Sequence, residues 1–176
     1  MSEVSVALLR GINVGGRNSL PMAELRDLLA GLGAEDCRTY IQSGNAAFRG
    51  DVTAAAISDA IETAKGFRPH ALVLPLDVYR AVLDACPYSA EGEDDGKSVH
   101  VYFADGTPVP PDDRTLALAT HNETLTVTEH AAYLHAPDGI GRSKLAARLD
   151  KALGVPVTAR NWKTAQAVLA LAEDIS

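Results

Sequence analysis

The chain has 176 residues, of which 47% are hydrophobic and 22% are charged, and its formal net charge at pH 7 is -7. This composition excludes an intrinsically disordered chain, and the length allows one domain or two small ones. The acidic balance argues against a protein that coats nucleic acid, although it is compatible with a local basic surface.

The sequence shows no basic segment followed by an apolar stretch, and no run reaches the roughly 18 apolar residues that a membrane-spanning helix needs. We therefore expect a cytoplasmic protein with no membrane partner. The two cysteines, Cys37 and Cys86, lack the spacing of a zinc site or a redox pair, which favours small buried residues. The five histidines show no ligand spacing, so we expect no metal and no cofactor.

Apolar periodicity predicts six elements in the first half of the chain. The predicted strands cover residues 4–9, 37–41, 46–48 and 71–74, and the predicted helices cover residues 21–33 and 53–65. The order strand, helix, strand, strand, helix, strand is that of the ferredoxin-like split βαβ arrangement. A connecting helix over residues 76–85 should follow, and then an acidic, solvated linker over residues 89–97.

The same order returns in the second half. The predicted strands cover residues 99–103, 124–128, 132–135 and 155–158, and the predicted helices cover residues 113–120, 143–153 and 161–171. We therefore predict an α+β protein of two ferredoxin-like halves, a fold duplication without sequence repetition, with helices packed on antiparallel or mixed sheets. The halves are residues 1–75 and 98–176, and residues 76–97 connect them.

Residues 10–18 form a polar loop between the first strand and the first helix, and loops in this position commonly bind anions. Gly11 and Gly16 have the separation found in the phosphate-binding loop of nucleoside triphosphatases. Arg17 and Asn18, however, replace the lysine and the hydroxyl residue of that motif, and the dinucleotide fingerprint is also absent. Three interpretations stay open, namely a non-hydrolytic contact with an anion or nucleotide, a purely structural glycine loop, and a nucleoside triphosphatase, against which these mismatches argue.

A second polar segment, residues 42–45, makes the turn between the two central strands of the first half. Its Ser, Gly and Asn residues are ordinary turn formers, so the segment needs no function. We place this turn at the opposite end of the sheet from residues 10–18, unless it extends along an edge. Whether the two segments meet is therefore left open.

Two late segments, residues 139–144 and 158–163, reverse the acidic balance of the chain, and each enters a predicted helix. From Arg142 to Lys163 there are six basic residues and a single acid, Asp150. Ser143 and Asn161 stand where helix caps belong, so caps beside a solvated basic face explain the pattern as well as an anion site does. Trp162 could stack on a base or anchor the interior.

Four segments together resemble a bacterial family of uncharacterised proteins, the domain of unknown function 1697. They are residues 10–18 with Pro21 and Met22, residues 40–45, residues 141–145 and residues 158–162. The resemblance spans nearly the whole chain and implies two ferredoxin-like halves, but it implies no activity. Arg17 stands where the family usually has lysine, which keeps the charge and allows a bidentate contact. Lys163 stands where the family often has asparagine or threonine.

Our hypothesis is an inter-domain basic cleft that binds a phosphate-bearing ligand, either a nucleotide or a short single-stranded nucleic acid. The expected ligand-binding residues are Arg10, Asn13, Gly15, Gly16, Arg17, Asn18, Gln42, Ser43, Asn45, Arg142, Ser143, Lys144, Arg160, Asn161 and Trp162. One alternative is an enzyme acting on a phosphorylated or acyl-phosphate metabolite, with Ser143 or Lys144 in the chemistry. The other is a protein-interaction module that recruits its partner at a sheet edge.

Overall fold

The computed structural model describes residues 3–176 and divides them into two compact units. Unit 1 comprises residues 3–80 together with Ala167–Ser176, and unit 2 comprises Ala81–Gln166. Each unit contains one four-stranded antiparallel sheet with helices, so the fold class is α+β. Among the described residues, no helix has the length and apolar character needed to cross a membrane.

In unit 1 every predicted strand and helix is present, with ends displaced by no more than two residues. The elements are β1 (Val4–Arg10), α1 (Met22–Gly31), β2 (Glu35–Tyr40), β3 (Asn45–Arg49), α2 (Ala54–Lys65) and β4 (His70–Pro75). Their strands lie in the order β2-β3-β1-β4. The first residues of the next helix, α3 (Leu76–Asp84), also belong to this unit.

The core of unit 1 lies between its sheet and the helices α1 and α2. Ala7 and Leu9 of β1 belong to the same buried cluster as Leu25 and Leu29 of α1 and Ile61 of α2. The spacing of the leucines puts them on one face of α1, as their periodicity predicts. The alternating residues of β1 on the other face are buried as well. Because β1 is also one of the two interior strands of the sheet, its position and the start of the loop after it are fixed on all sides.

The β2–β3 turn, residues 41–44, lies at the same end of the sheet as the loop after β1. Asn45 pairs with Leu8 of β1 on one side and with Tyr40 of β2 on the other. Our placement of this turn at the opposite end was wrong. The crossover through α1 brings the chain back so that β2 runs parallel to β1, and both strands therefore end at the same edge.

Unit 2 has a sheet of the same kind. Its elements are α4 (Ser89–Asp94), β5 (Val99–Ala104), α5 (Asp113–Leu116), β6 (Thr124–Val127), β7 (Ala131–His135), a 3₁₀ turn (Ile140–Arg142), α6 (Ala146–Ala152) and β8 (Val157–Asn161). The strand order is β6-β7-β5-β8. Leu145, Leu149 and Leu153 pack with Tyr102 and Leu134 to form its core. The final helix, α7 (Trp162–Asp174), starts in unit 2 and ends in unit 1.

Several predictions for the second half need correction. The helix α5 ends at Leu116 and not at residue 120, and α7 continues to Asp174 and not only to residue 171. The acidic segment expected as a solvated linker contains the helix α4, because a tertiary contact with Trp162 stabilises it. The helix predicted from residue 143 begins only at Ala146, after the 3₁₀ turn. The last strand is Val157–Asn161 and not residues 155–158, so Arg160 lies inside a strand instead of at a helix entrance.

Candidate functional site

The loop after β1 is a small β-hairpin. Val14 donates to the carbonyl of Arg17 at 3.2 Å, and Arg17 donates back to the carbonyl of Val14 at 2.9 Å. Gly15 and Gly16 occupy the tip with φ values of 56° and 76°, which two-residue hairpin turns require. The amides of Val14 and Arg17 are therefore used inside the hairpin and do not cradle a ligand, as those of a phosphate-binding loop would.

The two asparagines of this loop fix its conformation. The Asn13 side chain donates to the carbonyls of Leu20 at 2.9 Å and Gln42 at 2.8 Å, and its oxygen accepts from the Leu20 amide at 2.8 Å. The Asn18 side chain donates to the Gly11 carbonyl at 2.9 Å. We expected both amides to contact a ligand, whereas in this conformation their donors satisfy the backbone of the protein.

The β2–β3 turn packs directly against the start of the N-terminal hairpin. The Leu9 amide donates to the Gly44 carbonyl at 2.8 Å. A Cβ atom at Gly44 would lie 2.7 Å from the Leu9 Cβ atom, so no other residue fits there without displacement. Asn45 is fully buried and donates to Tyr40 at 2.9 Å and Ser43 at 3.0 Å. The fold thus unites the two N-terminal segments selected from the sequence, with Ser43 exposed beside a buried Asn45.

Arg17 differs from the other basic residues of unit 1 in having no side-chain partner. Within residues 3–176 the unit's other arginines and its lysine have partners, and Arg17 is exposed without a hydrogen bond or ion pair from its guanidinium. The pairs formed by these side chains include Arg26 with Thr39, Arg38 with Asp174, Arg49 with Asp36, Lys65 with Glu24, Arg68 with Asp59 and Arg80 with Glu173. Arg10 is also exposed, at the end of β1.

Two exposed aliphatic residues lie in the same loops, and sequence reasoning did not select either. Val14 is 61% exposed and Ile41 is 49% exposed. Ile41 also has a φ of 49°, in the left-handed region that β-branched residues avoid, at a cost of about 1–3 kcal/mol. Backbone angles of this kind leave no signal in the sequence, so Ile41 could not have been found from its residue type.

The strand that precedes the first late segment, β7, and the strand that contains most of the second, β8, end at the same end of the unit 2 sheet. His135 pairs with Val99 and Thr124, and Asn161 pairs with His100. The chain after β7, which contains Arg142 and Lys144, therefore starts at the same edge at which β8 ends. The amide of Lys163 donates to Gly96 at that edge, at 3.2 Å.

Ser143 acts as a helix cap. Its oxygen accepts from the Ala146 amide at 3.0 Å, and its hydroxyl donates to the carboxylate of Glu123 at 3.0 Å. Glu123 is buried and also accepts from the His121 amide at 2.5 Å. The sequence analysis did not select this carboxylate, which holds the Ser143 hydroxyl beside the start of α6. Within residues 3–176 no histidine forms a hydrogen bond with that hydroxyl.

Trp162 is an interior residue of unit 2. It is 3% exposed, its indole nitrogen donates to Glu93 at 3.0 Å, and a Cβ atom added to Gly92 would lie 2.5 Å from its ring. The indole ring of Trp162 therefore cannot stack on a ligand in this conformation. The two preceding residues also form hydrogen bonds within the protein. Arg160 is buried and donates to the Ala159 carbonyl, and the Asn161 side chain accepts from the Thr164 amide as the cap of α7.

The remaining late basic residues of unit 2 are exposed cations without ion pairs within the described residues. They are Arg142, Lys144, Arg148, Lys151 and Lys163. In a solvated position each cation attracts anions over roughly a Debye length of about 8–10 Å. These exposed cations are among the residues that reverse the charge balance in the sequence from Arg142 to Lys163.

The described residues contain neither a cluster of side chains suited to a metal ion nor a cysteine with a lowered pKa. No group of three or more histidine, cysteine, aspartate or glutamate side chains is placed to hold a metal ion in residues 3–176. Burial raises the pKa of the Cys37 thiol, helped by the nearby charge of Asp36, and burial likewise raises the pKa of Cys86. A raised pKa lowers the thiolate fraction, so neither cysteine is an activated nucleophile.

The family described as a protein of unknown function (DUF1697) has a model that matches residues 2–133. The chain belongs to this family. The match confirms the resemblance found in the N-terminal hairpin and the β2–β3 turn. No curated protein matches the chain.

A solved structure extends the comparison over both units of this DUF1697 protein. The conserved bacterial protein SP0830 from Streptococcus pneumoniae is 26% identical, with a TM-score of 0.70, and the alignment covers 98% of this chain and 99% of that one. The fold similarity therefore continues beyond residue 133 to β8 and α7. What the two proteins share is therefore the fold of both units.

Proposed function

We propose that this DUF1697 protein binds a phosphate-bearing ligand, a nucleotide or a short single-stranded nucleic acid, through its N-terminal hairpin. The observation that carries the proposal is the exposed guanidinium of Arg17, which makes no hydrogen bond or ion pair within residues 3–176, in a unit where six other basic side chains are paired. A guanidinium presents two parallel donors to a phosphate, and such charge-assisted bonds are stronger than neutral ones. Arg17 is thus the cation of unit 1 that is available to an anion.

The rigidity of the hairpin supports the proposal. Val14 and Arg17 are hydrogen-bonded to each other, and Asn13 and Asn18 hold the two sides of the loop. A loop that is ordered before binding loses less conformational entropy when the ligand arrives. A Cβ atom at Gly15 or Gly16 would find no heavy atom within 4 Å, so the tip is open to the approach of a phosphate.

The exposed basic residues of unit 2 are the second supporting feature. Arg142 and Lys144 are exposed and lack ion pairs among the described residues, so both can neutralise phosphate charge. Such contacts add affinity that weakens as salt increases, and they carry little sequence information. The hypothesis that these residues and the hairpin line one cleft stays a prediction.

Isothermal titration at low ionic strength tests the proposal, with ATP and a short oligothymidylate as probes. We expect at least one probe to bind, and Arg17→Ala to weaken that binding about tenfold or more, as the loss of a charge-assisted pair predicts. Arg68→Ala is the matched control, because this exposed arginine of unit 1 already pairs with Asp59 and Glu62. The proposal is wrong if neither probe binds, or if Arg17→Ala binds like the wild-type protein.

We also infer that the two units are ferredoxin-like halves related by fold duplication. The orders β2-β3-β1-β4 and β6-β7-β5-β8 are equivalent when the strands of each unit are counted from its first. Within each unit the chain follows the order strand, helix, strand, strand, helix, strand, which is that of the split βαβ arrangement. An experimental structure with a different strand order in either sheet would contradict this inference.

A further inference from the structure

We infer that Val14 and Ile41 contact the base of a nucleotide whose phosphate binds Arg17. This inference rests on the proposed function and makes it more specific, because it distinguishes nucleotides from bare phosphate compounds and from phosphorylated sugars. Val14 and Ile41 are the large hydrophobic side chains exposed in the two adjoining loops of unit 1. The site therefore combines a cation with apolar surface.

The hairpin places Val14 beside Arg17. The two residues form an antiparallel bridge and exchange both backbone hydrogen bonds. Side chains of directly opposed residues in such a bridge project from the same face, with Cβ atoms about 4.5–5.5 Å apart. A ligand whose phosphate contacts the guanidinium of Arg17 consequently finds the branched side chain of Val14 next to it.

Ile41 is exposed through an unfavourable backbone conformation. Its φ of 49° is one that asparagine and glycine adopt more readily. The next residue, Gln42, accepts the hydrogen bond of Asn13, which ties this turn to the hairpin. A buried isoleucine would repay the strain through packing, whereas Ile41 is 49% exposed. Strained residues of this kind cluster at ligand sites, and we assign the apolar surface of Ile41 to the ligand.

The chemistry of a nucleotide matches this pair of features. Its phosphate supplies the anion, and the face of its base is a flat surface of low polarity on which apolar side chains and guanidinium groups pack. Sugar hydroxyls would gain nothing from Val14 or Ile41, since burying them beside apolar groups leaves them without hydrogen bonds. The net charge of -7 disfavours a long polyanion, which favours a mononucleotide over a nucleic acid.

A comparison of ATP with inorganic tripolyphosphate tests the inference, because both carry three linked phosphates and only ATP carries a base. We expect ATP to bind about tenfold more tightly by isothermal titration, in line with the value of one stacked base. Val14→Thr and Ile41→Asn should reduce ATP affinity toward that of tripolyphosphate and leave tripolyphosphate affinity unchanged. Threonine keeps the branched shape of valine, and asparagine tolerates the backbone of Ile41. Val109→Thr, at an exposed valine of unit 2, is the control.

Each result separates this inference from the proposed function. Equal binding of ATP and tripolyphosphate, with both variants like the wild-type protein, would overturn the role of Val14 and Ile41 and leave phosphate binding by Arg17 intact. Binding of oligothymidylate without binding of ATP would overturn the assignment of a mononucleotide. Failure of every probe would overturn both proposals. Circular dichroism melting curves of the variants show whether each one is folded.

Discussion

The side-chain nitrogen of Asn13 donates a 2.8 Å hydrogen bond to the carbonyl oxygen of Gln42, 29 residues further along the chain. The same side chain exchanges two hydrogen bonds with the backbone of Leu20. One asparagine therefore connects the loop after β1, the entrance to α1 and the β2–β3 turn. This contact brings the two N-terminal segments together within a single unit.

Removal of the Asn13 side chain should destabilise the protein. Asn13→Gly keeps a residue that tolerates the positive φ of 52° and deletes the three hydrogen bonds. We expect a loss of about 1–3 kcal/mol in the free energy of unfolding, measured by urea denaturation, because partly buried backbone groups lose their partners. Asn122→Gly is the control, since Asn122 has a similar φ of 63° and is exposed. Equal effects of the two substitutions would show that the contacts of Asn13 contribute nothing.

Gly44→Ala should be more damaging than Gly11→Ala. Both glycines have positive φ values, 93° and 78°, so both substitutions strain the backbone by about 1 kcal/mol. Only at Gly44 would the new Cβ atom lie 2.7 Å from Leu9 and 2.8 Å from Ile12. Overpacking of this kind adds about 1–3 kcal/mol. The difference in melting temperature between the two variants measures this overpacking cost. Equal melting temperatures would contradict the close packing of the β2–β3 turn.

Gly92→Ala should destabilise unit 2 although it lies in a helix. Alanine in a helix normally stabilises by about 0.5–1 kcal/mol relative to glycine. At Gly92 the Cβ atom would lie 2.5 Å from the ring of Trp162, so the indole must move. Gly31→Ala, at the end of α1 with no heavy atom within 4 Å, should be neutral or stabilising. Denaturation followed by circular dichroism, which reports on both units, compares the two variants, and the fluorescence of Trp162, the only tryptophan, reports on its surroundings in unit 2. A stabilised Gly92→Ala variant would place the indole elsewhere.

His100 should make the protein less stable in mild acid. Burial lowers its pKa below the ordinary value of 6.5, and its Nδ1 atom has no hydrogen-bond partner among the described residues. The unfolded chain therefore binds a proton more readily than the folded one. The contribution is fully present above pH 6.5 and decreases as the pH falls from there toward the lower folded pKa.

The difference between His100→Leu and the wild-type protein measures this contribution. We expect the variant to lose less unfolding free energy between about pH 7.5 and 5, because leucine takes up no proton. His130→Gln is the control, because the His130 side chain is 76% exposed. Identical pH profiles for His100→Leu and the wild-type protein would show that His100 is as easily protonated in the folded state as in the unfolded state.

The regular elements of unit 1 could be predicted because local patterns determine them. Leu25 and Leu29 mark the buried face of α1, and Thr53 caps α2 where the sequence predicts its start. The helix α4 escaped prediction, because its acidic residues and glycine show no periodicity. Its stability depends on Trp162, about 70 residues away in sequence, and tertiary contacts at such separation override local propensity.

The candidate site could be located from the sequence only in part. The glycines and Arg17 drew attention to the hairpin through composition and spacing. The lack of a partner for Arg17 depends on where the acids of unit 1 lie in the fold, and the apolar role of Ile41 depends on a backbone angle. For Trp162 the sequence pointed to a ligand contact that the fold does not allow. A solitary tryptophan beside basic residues suggested stacking on a base, but its side chain is buried.

The order in which the chain is made has a consequence for unit 1. Asp174 pairs with Arg38, the Ile175 carbonyl accepts from Arg49, and both late residues belong to Ala167–Ser176. All of unit 2 is synthesised before these residues are. During translation Arg38 and Arg49 therefore lack these partners until the last residues of the chain emerge. A ribosome-bound chain ending at residue 166 should leave both arginines, and the backbone beside them, more accessible to proteases than the complete protein does.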